Sequence, residues 1–236
     1  MTREMDITLV IPTYNESDNL PILLERVFGA FRDSGIDGKV IVVDDDSPDR
    51  TWQTAEELKK KYAGLEVLRR VNKRGLSSAV LDGFGMSESA ILGVMDADLS
   101  HPPEKIPELL APILKGEADM AIGSRYVERG GIGDWALRRK ISSRIASLAV
   151  IGLTNVKDPM SGFFFLKRGV IKNVHLSPKG FKIALEILVR GKYDRVVEVP
   201  IIFQDRIYGE TKLTSGVIFD YLCHIMKLYT YKIIGS

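Results

Sequence analysis

Short, nearly continuous apolar runs alternate with longer amphipathic segments through the first half of the chain. Runs of this kind, rich in β-branched side chains, are typical of strands that are covered on both faces, as in parallel sheets. They predict strands at residues 7–11, 39–43, 65–68, 91–95 and 120–122. The segments between them predict helices at 20–28, 51–62, 76–84 and 106–114. Strands that alternate with helices predict βαβ units and a parallel sheet.

The second half of the chain is less regular. Gly130, Gly131 and Gly133 lie in a segment, 127–139, for which we predict a loop. Further patterns predict strands at 162–166 and 195–203 and helices at 138–151, 181–189 and 215–231. No repeat or low-complexity linker marks a domain boundary. We therefore expect one α/β domain over 1–236, with a mostly parallel central sheet and helices on both faces.

Composition narrows the class of protein. The 236 residues include 33 Lys and Arg against 31 Asp and Glu, so the net charge of +2 gives no reason to expect a nucleic-acid binder. Cys223 is the sole cysteine, which excludes an intramolecular disulfide. No stretch approaches the roughly 20 apolar residues of a membrane span, and the first apolar run is too short for a signal peptide. We expect a globular protein without a spanning helix.

Acidic residues follow three of the predicted strands. Because the carboxyl ends of parallel strands meet at one edge of a sheet, where ligands bind, these side chains are expected to gather there. Such a concentration of like charge is costly unless a cation or a hydrogen-bonding ligand neutralises it. The six carboxylates belong to Glu16, Asp44, Asp45, Asp46, Asp96 and Asp98.

The sharpest of these motifs is Asp96-Ala97-Asp98. Residues two apart on an extended chain project to the same face, so both carboxylates can approach one ion. Oxygen ligands favour Mg²⁺ or Mn²⁺, which bind a few carboxylates together with substrate phosphates. No glycine-rich dinucleotide fingerprint follows the first strand and no P-loop occurs. Phosphate binding is therefore assigned to a metal and to side chains.

A basic segment lies in the second half. Residues 125–144 contain six basic and two acidic residues, a local charge of +4 in a protein of net charge +2. The guanidinium fork suits phosphate oxygens better than the point charge of lysine. A solvated helix face would have the same composition, but the neighbouring acidic motifs favour a phosphate-binding role for some of these arginines.

In combination, the motifs resemble those of dolichol-phosphate mannose synthases, which are polyprenyl-phosphate glycosyltransferases of the GT-A fold in glycosyltransferase family 2. The resemblance covers about 7–225, nearly the whole chain. The matching segments are Pro12-Thr-Tyr-Asn-Glu16, Val43-Asp-Asp-Asp-Ser-Pro-Asp-Arg-Thr51, Gly75-Leu-Ser-Ser-Ala79, Met95-Asp-Ala-Asp-Leu-Ser-His-Pro-Pro103, Gly123-Ser-Arg-Tyr126 and Gly209-Glu-Thr-Lys-Leu213.

The resemblance also implies roles for individual residues. The nucleotide-sugar positions are Pro12, Tyr14, Glu16, Val43, Asp45, Asp96, Ala97, Asp98, Ser100, Arg125, Arg206 and Lys212. Asp96, Asp98 and Ser100 match the metal motif, although serine stands where some members have a longer glutamine. Arg206 and Lys212 match the basic pair at the donor diphosphate. Arg125, Arg139 and Ser143 match acceptor-phosphate positions and, with Asp98, form the implied catalytic set.

The implied reaction is transfer of mannose from GDP-mannose to dolichyl phosphate with inversion, dependent on Mg²⁺ or Mn²⁺. Residues 7–125 would form the nucleotide-sugar half, 126–215 the acceptor half, and 215–231 an amphipathic helix. Without a spanning helix, the enzyme is expected at the cytoplasmic face of a membrane as a peripheral protein, unaided or docked on a small membrane partner subunit. Two alternatives remain open at this point: another donor such as UDP-glucose, and a non-catalytic nucleotide-sugar-binding subunit.

Overall fold

The computed structural model describes residues 7–133, 150–176, 183–204 and 215–234, with the side chains of the last range described from Cys223 onward. The strands are β1 Ile7–Thr13, β2 Gly38–Asp44, β3 Leu65–Arg69, β4 Ile91–Val94, β5 Met120–Ser124, β6 Gly131–Ile132, β7 Phe164–Lys167, β8 Val196–Pro200 and β9 Ile202–Phe203. The helices are α1 Leu20–Asp33, α2 Thr51–Leu58, α3 Leu76–Met86, α4 Ile106–Leu114, α5 Ile183–Arg190 and α6 Ser215–Ile234. The five strands and four helices predicted in the first half are confirmed.

Seven strands form one sheet in the order β3-β2-β1-β4-β7-β5-β8. The strands β1 to β4 pair in parallel, as do β5 and β8, whereas β7 is antiparallel to both of its neighbours. A second, small sheet pairs β6 with β9. The prediction of a mostly parallel central sheet is confirmed, and the reversed direction of β7 is a feature that its apolar pattern did not reveal.

The alternating side chains of each strand divide between two apolar cores. Leu9 and Ile11 of β1 pack on one face of the sheet with α1, α2 and α4. Val10, between them, packs on the other face with α3 and α5. Strands buried on both faces therefore read as continuous apolar runs, which is why the pattern located them so well.

Three boundaries in the second half differ from their predictions. The single strand predicted at 195–203 is two strands in different sheets, divided at Ile201. The division falls there because the Ile201 N–H still donates to Ser124 of β5 at 3.0 Å, whereas the Ile201 carbonyl already accepts from Gly131 of β6. The loop predicted at 127–139 includes β6, which forms where the Gly131 N–H donates to the Ile201 carbonyl at 3.0 Å. The helix predicted at 138–151 lies almost wholly outside the described residues, and its last position, Ile151, instead forms an isolated bridge with Thr154.

The last helix is held by the rest of the fold along part of its length. Ile225 and Leu228 of α6 are buried against Leu185 of α5. On the predicted apolar face, however, Met226 is 70% exposed. His224, which the amphipathic pattern placed on the polar face, is buried, because the helix turns it toward the buried carboxylate of Glu186 at 3.9 Å.

The buried His224 gives the fold a measurable pH dependence. Burial lowers the pKa of His224. The positive charges of Arg190 and Lys227 lower the pKa further, and the negative charge of Glu186 only partly offsets these effects. The unfolded chain therefore binds more protons below about pH 6.5, and the free energy of unfolding should fall as the pH decreases through that value. We expect urea denaturation between pH 7.5 and 5.5 to show this loss in the wild type and less of it in His224→Gln. The exposed His175, changed to Gln, is the control that should leave the curve unaltered.

Candidate active site

The acidic motifs meet at one edge of the sheet, as predicted. The strand order reverses beside β1, which has β2 on one side and β4 on the other. Thr13 is in register with Asp44, and the Met95 N–H donates to the Val10 carbonyl at 3.2 Å. The segments that follow these three strands therefore leave the sheet side by side. Ligands of open α/β sheets bind at such a reversal.

The carboxylates after β2 are largely satisfied by the protein itself. Asp44 Oδ2 accepts hydrogen bonds from the hydroxyls of Thr13 at 2.8 Å and Ser47 at 2.6 Å. Asp46 pairs with Arg69 at the surface. We expected a cation or a hydrogen-bonding ligand to offset the charge at this edge; hydroxyl groups of the protein already hydrogen-bond Asp44, and an ion pair already neutralises Asp46.

Asp45, a predicted donor-binding residue, belongs to a buried network around Arg70. Arg70 Nε donates to Asp45 Oδ1 at 2.7 Å, and the Gly75 N–H donates to Asp45 Oδ2 at 2.8 Å. The same guanidinium donates to Ser78 Oγ at 3.0 Å and to Asp82 Oδ2 at 3.1 Å, while its side chain is only 1% exposed. Sequence analysis missed Arg70. The available signal was a basic residue directly after β3, the strand beside Asp45.

The remaining positions of the first and second donor segments lie beside this network. Pro12 and Val43 are buried within β1 and β2. Tyr14 carries the guanidinium of Arg74 over its ring, 4.7 Å from the centroid. The Glu16 carboxylate accepts a hydrogen bond from Asn19 Nδ2 at 2.7 Å. The structure thus brings these residues to the same edge, and their contacts with a donor stay a prediction.

The turn after β4 holds the predicted metal motif. Asp96, Ala97 and Asp98 follow the end of the strand at Val94, so the two carboxylates come from a turn and not from an extended strand as expected. Leu99 has a φ of 61°, which folds the turn back, and the Ser100 N–H donates to Asp98 Oδ1 at 3.1 Å. The backbone thereby fixes the Asp98 carboxylate at the sheet edge.

Gly162, in the loop before β7, lies directly against Asp96. A Cβ atom at this position would fall 2.1 Å from Asp96 Oδ2 and 2.6 Å from Oδ1, closer than any van der Waals contact. Only glycine lets the backbone approach the carboxylate so closely. Sequence analysis did not single out Gly162, because its function depends on a neighbour 66 positions away.

Arg125 leaves the end of β5 and enters a buried ion pair with Asp158. Arg125 Nε donates to Asp158 Oδ2 and Nη2 to Oδ1, both at 2.7 Å. Burial alone lowers the pKa of Arg125, but the hydrogen bonds and charge of Asp158, with the charges of Tyr126 and Asp96, raise it above its usual value. Arg125 is therefore a permanent cation within electrostatic reach of the metal motif.

Aromatic packing connects Arg125 to the turn after β4. The guanidinium lies 5.2 Å from the ring centroid of Phe203, whose edge-to-face partner at 4.9 Å is His101. His101 Nδ1 in turn lies 3.9 Å from Asp96 Oδ2. The burial of His101 between two phenylalanine rings fits a packing role better than that of a metal ligand.

Four predicted site residues lie outside the described residues: Arg139, Ser143, Arg206 and Lys212. The described chain ends just before two of them, at Gln204, whose N–H donates to the Ser100 carbonyl at 3.0 Å. The segment that carries Arg206 therefore starts beside the metal motif. The roles of these four residues stay predictions.

The donor set fits a divalent cation of the Mg²⁺ or Mn²⁺ type. Asp96 and Asp98 provide hard carboxylate oxygens, and Ser100 Oγ is buried with no hydrogen-bond partner in the part of the chain that the structure describes. Among these described residues, no group of three or more His, Cys, Asp or Glu side chains could hold a metal. A site with two carboxylates suits an ion that takes its other oxygens from water and substrate phosphate.

A doubly wound sheet with an acidic turn at the strand-order reversal is the arrangement expected of a glycosyltransferase of the GT-A class. Residues 8–175 match the family described as glycosyl transferase family 2, and the chain belongs to that family. The predicted GT-A fold and the predicted family are confirmed.

Named relatives lie within this family. The chain is 48% identical over 228 residues to the dolichol-phosphate mannosyltransferase of Pyrococcus furiosus. The matched region covers 95% of this chain and 64% of the relative. It is 36% identical over 238 residues to the dolichol-phosphate mannosyltransferase of Saccharomyces cerevisiae, covering 97% of this chain and 88% of that protein. The chain thus spans less than two thirds of the Pyrococcus furiosus protein.

Solved structures support the fold. Glucosyl-3-phosphoglycerate synthase from Mycobacterium tuberculosis, in complex with phosphoglyceric acid, superposes with a TM-score of 0.69 at 18% identity over 98% of this chain and 81% of the other. A complex of the same enzyme with Mn²⁺, UDP-glucose and phosphoglyceric acid gives a TM-score of 0.66 at 18% identity, covering 94% and 80%. At this identity the likeness establishes the fold alone.

Proposed function

We propose that the protein transfers mannose from GDP-mannose to dolichyl phosphate with inversion, giving dolichyl β-D-mannosyl phosphate and GDP. The observation that carries the proposal is the placement of a buried arginine, Arg125, near the acidic turn at Asp96 and Asp98, to which it is connected through Phe203 and His101. A reaction between two anionic substrates requires both a cation-binding group and a fixed positive charge. The names of the relatives from Pyrococcus furiosus and Saccharomyces cerevisiae supply the sugar and the lipid.

The acceptor needs no strong general base. The second pKa of a phosphate monoester is about 6, so dolichyl phosphate is already a nucleophile at neutral pH. One of its oxygens attacks C1 of mannose as the bond from C1 to the GDP oxygen breaks, and the configuration at C1 is inverted. Arg125, Arg139 and Ser143 are proposed to hold the acceptor phosphate, consistent with the fork that arginine presents to phosphate oxygens.

The donor side is proposed to combine a metal with side chains. Asp96, Asp98 and Ser100 would hold Mg²⁺ or Mn²⁺, which neutralises charge on the departing diphosphate. Arg206 and Lys212 are proposed to add positive charge to the same group. The hydrogen bond from Gln204 to Ser100 supports this, because it starts their segment beside the motif.

The proposed donor contacts are those inferred from sequence: Pro12, Tyr14, Glu16, Val43, Asp45, Ala97 and Arg125. Their shared position at the edge of β1, β2 and β4 supports the assignment. The division into a donor half at 7–125 and an acceptor half at 126–215 stays a prediction.

The proposed setting is the cytoplasmic face of a membrane, where a polyprenyl acceptor is presented. Met226, Ile233 and Ile234 of α6 are 70–78% exposed, and apolar side chains on an exposed helix suit the boundary between water and lipid. Within the described ranges, none of the helices has the length and hydropathy needed to cross a bilayer. On the basis of the exposed apolar side chains of α6 we propose peripheral attachment, directly or through a small membrane partner subunit.

The test is a transfer assay with purified protein. Radiolabelled GDP-mannose or UDP-glucose is incubated with dolichyl phosphate, with Mg²⁺, Mn²⁺ or EDTA, and the lipid phase is extracted. We expect radiolabel from GDP-mannose to appear in the extracted lipid when metal is present and to be absent from it when EDTA is present. Radiolabel transferred from UDP-glucose instead would identify UDP-glucose as the donor. Donor binding without transfer to lipid under any condition would favour a non-catalytic subunit.

Gly162→Ala should impair this reaction without unfolding the protein. The new Cβ displaces the Asp96 carboxylate, and a misplacement of about 1 Å at a reacting centre costs on the order of 100-fold in rate. The Asp96 side chain is partly exposed, so it turns away without disrupting the core. The control is Gly169→Ala, where a Cβ meets nothing within 4 Å. Equal activity of the two variants would contradict the close approach.

A further inference from the structure

Asp158 is a completely buried carboxylate to which the proposed reaction gives no role. Besides the two bonds from the Arg125 side chain, its Oδ2 accepts the Arg125 backbone N–H at 3.0 Å. Both of its oxygens are therefore directed at one residue. A fork-to-fork pair of this kind fixes the plane of a guanidinium as well as its position.

A second carboxylate fixes the backbone that carries Asp158. Glu198, in β8, accepts the N–H of Lys157 on Oε2 at 2.9 Å and the N–H of Asp158 on Oε1 at 3.1 Å. β8 pairs with β5, the strand that ends one residue before Arg125. The anchor, the carboxylate and the arginine thus share one rigid part of the sheet.

Aromatic contacts link the Arg125 guanidinium to the reaction edge. It stacks on Phe203, and Phe203 packs on His101 beside Asp96. Rotation of the guanidinium about its side-chain bonds is thereby opposed by an ion pair on one side and an aromatic ring on the other. A lysine could make neither contact in the same way.

We propose that Asp158 is a positioning residue: its carboxylate, held through Glu198, sets the orientation in which Arg125 meets the acceptor phosphate beside the acidic turn. The proposal deepens the proposed function and rests on it for the identity of the phosphate. The pair uses two of the five N–H donors of the guanidinium, and its geometry determines the direction of the others. Asp158 is not assigned a proton-transfer role, because both its oxygens accept hydrogen bonds from Arg125.

A double-mutant cycle tests this in the transfer assay. Asp158→Asn is expected to lower kcat/KM for dolichyl phosphate by at least about 30-fold, the effect of truncating one partner of a buried charge pair. If Asp158 acts only through Arg125, the double variant Asp158→Asn with Arg125→Gln should be no less active than Arg125→Gln alone, within about threefold.

Asp119→Asn is the matched control. Asp119 pairs with Lys167 at 2.9 Å and accepts the N–H groups of Asp194 and Arg195, so it too is an aspartate that binds one cation and accepts backbone N–H groups. It lies just before β5, at the opposite end of the strand from Arg125. We expect this variant to lose stability but to keep the acceptor KM and kcat of the wild type.

A spectroscopic measurement separates this proposal from the proposed function. The Nε–H of Arg125, assigned by its loss in Arg125→Gln, should exchange slowly in NMR spectra of the wild type and of Asp119→Asn, and fast in Asp158→Asn. This result does not depend on substrate. The measurement requires only folded protein, so it can also be made on a variant whose activity is too low for kinetics.

The outcomes are distinct. A wild type that transfers no mannose overturns the proposed function, whereas the NMR result still decides the positioning by Asp158. Unchanged protection of the Arg125 Nε–H in Asp158→Asn would overturn the positioning, as would a double variant much less active than Arg125→Gln. Protection lost in Asp158→Asn, together with a non-additive cycle, supports it.

Discussion

Asp98→Asn is expected to reduce kcat for mannose transfer by about 10²–10³-fold, the loss typical of one preorganised electrostatic group at a reacting centre. Asparagine keeps the Oδ1 atom that accepts the Ser100 N–H, so the turn after β4 should persist. It removes one negative charge from the proposed metal site. The expected cause is weaker metal binding and therefore poorer stabilisation of the departing diphosphate.

Two measurements check this result. Transfer is assayed over a range of Mn²⁺ concentrations, and Mn²⁺ binding is followed directly by electron paramagnetic resonance. Asp46→Asn is the control, since Asp46 lies at the same sheet edge but pairs with Arg69 at the surface. Wild-type kcat and wild-type Mn²⁺ affinity in Asp98→Asn would remove Asp98 from the metal site.

Arg70→Met should lower the free energy of unfolding by about 3–5 kcal/mol, the usual cost of removing one partner of a buried ion pair. Methionine fills much of the space but leaves the buried carboxylate of Asp45 without its cation. The Asp82 carboxylate loses less, because Lys73 also lies 3.3 Å from it. Urea denaturation at pH 7, followed by circular dichroism, measures the change.

The neighbouring pair offers a closely matched control. Arg69 and Asp46 stand one position from Arg70 and Asp45, but their side chains are 42% and 38% exposed. Arg69→Met should therefore cost less than about 1 kcal/mol, as for other surface pairs. Similar losses in both variants would mean that burial does not set the strength of the Arg70 network.

The apolar pattern located the strands and helices that build the donor half. In β1 and β2 both faces are buried, so their sequences are unbroken apolar runs that end where the acidic residues begin. The pattern failed where local sequence and tertiary pairing disagree. The segment 195–203 reads as one strand, yet its two parts pair with different partners, β5 and β6.

The candidate site shows the same division between what the sequence indicates and what it does not. Asp96 and Asp98 were identifiable because they follow a strand directly and because their segment resembles a family motif. Arg70, Gly162 and Asp158 carried no comparable signal. Each acts on a residue that is 25 to 66 positions away in the chain, and a pattern read along the sequence cannot show such a pairing.

The sequence by itself determined the alternation of strands and helices, the sheet edge at which Asp45, Asp96 and Asp98 gather, and the family. The first two follow from side-chain periodicity and from residue order, which are local properties, and the family follows from the resemblance of the motifs. Only the tertiary structure decided which charges are already neutralised and how the side chains at that edge are held. The reason is that burial and hydrogen bonding depend on what packs against a side chain, as the Arg70–Asp45 and Arg125–Asp158 pairs show.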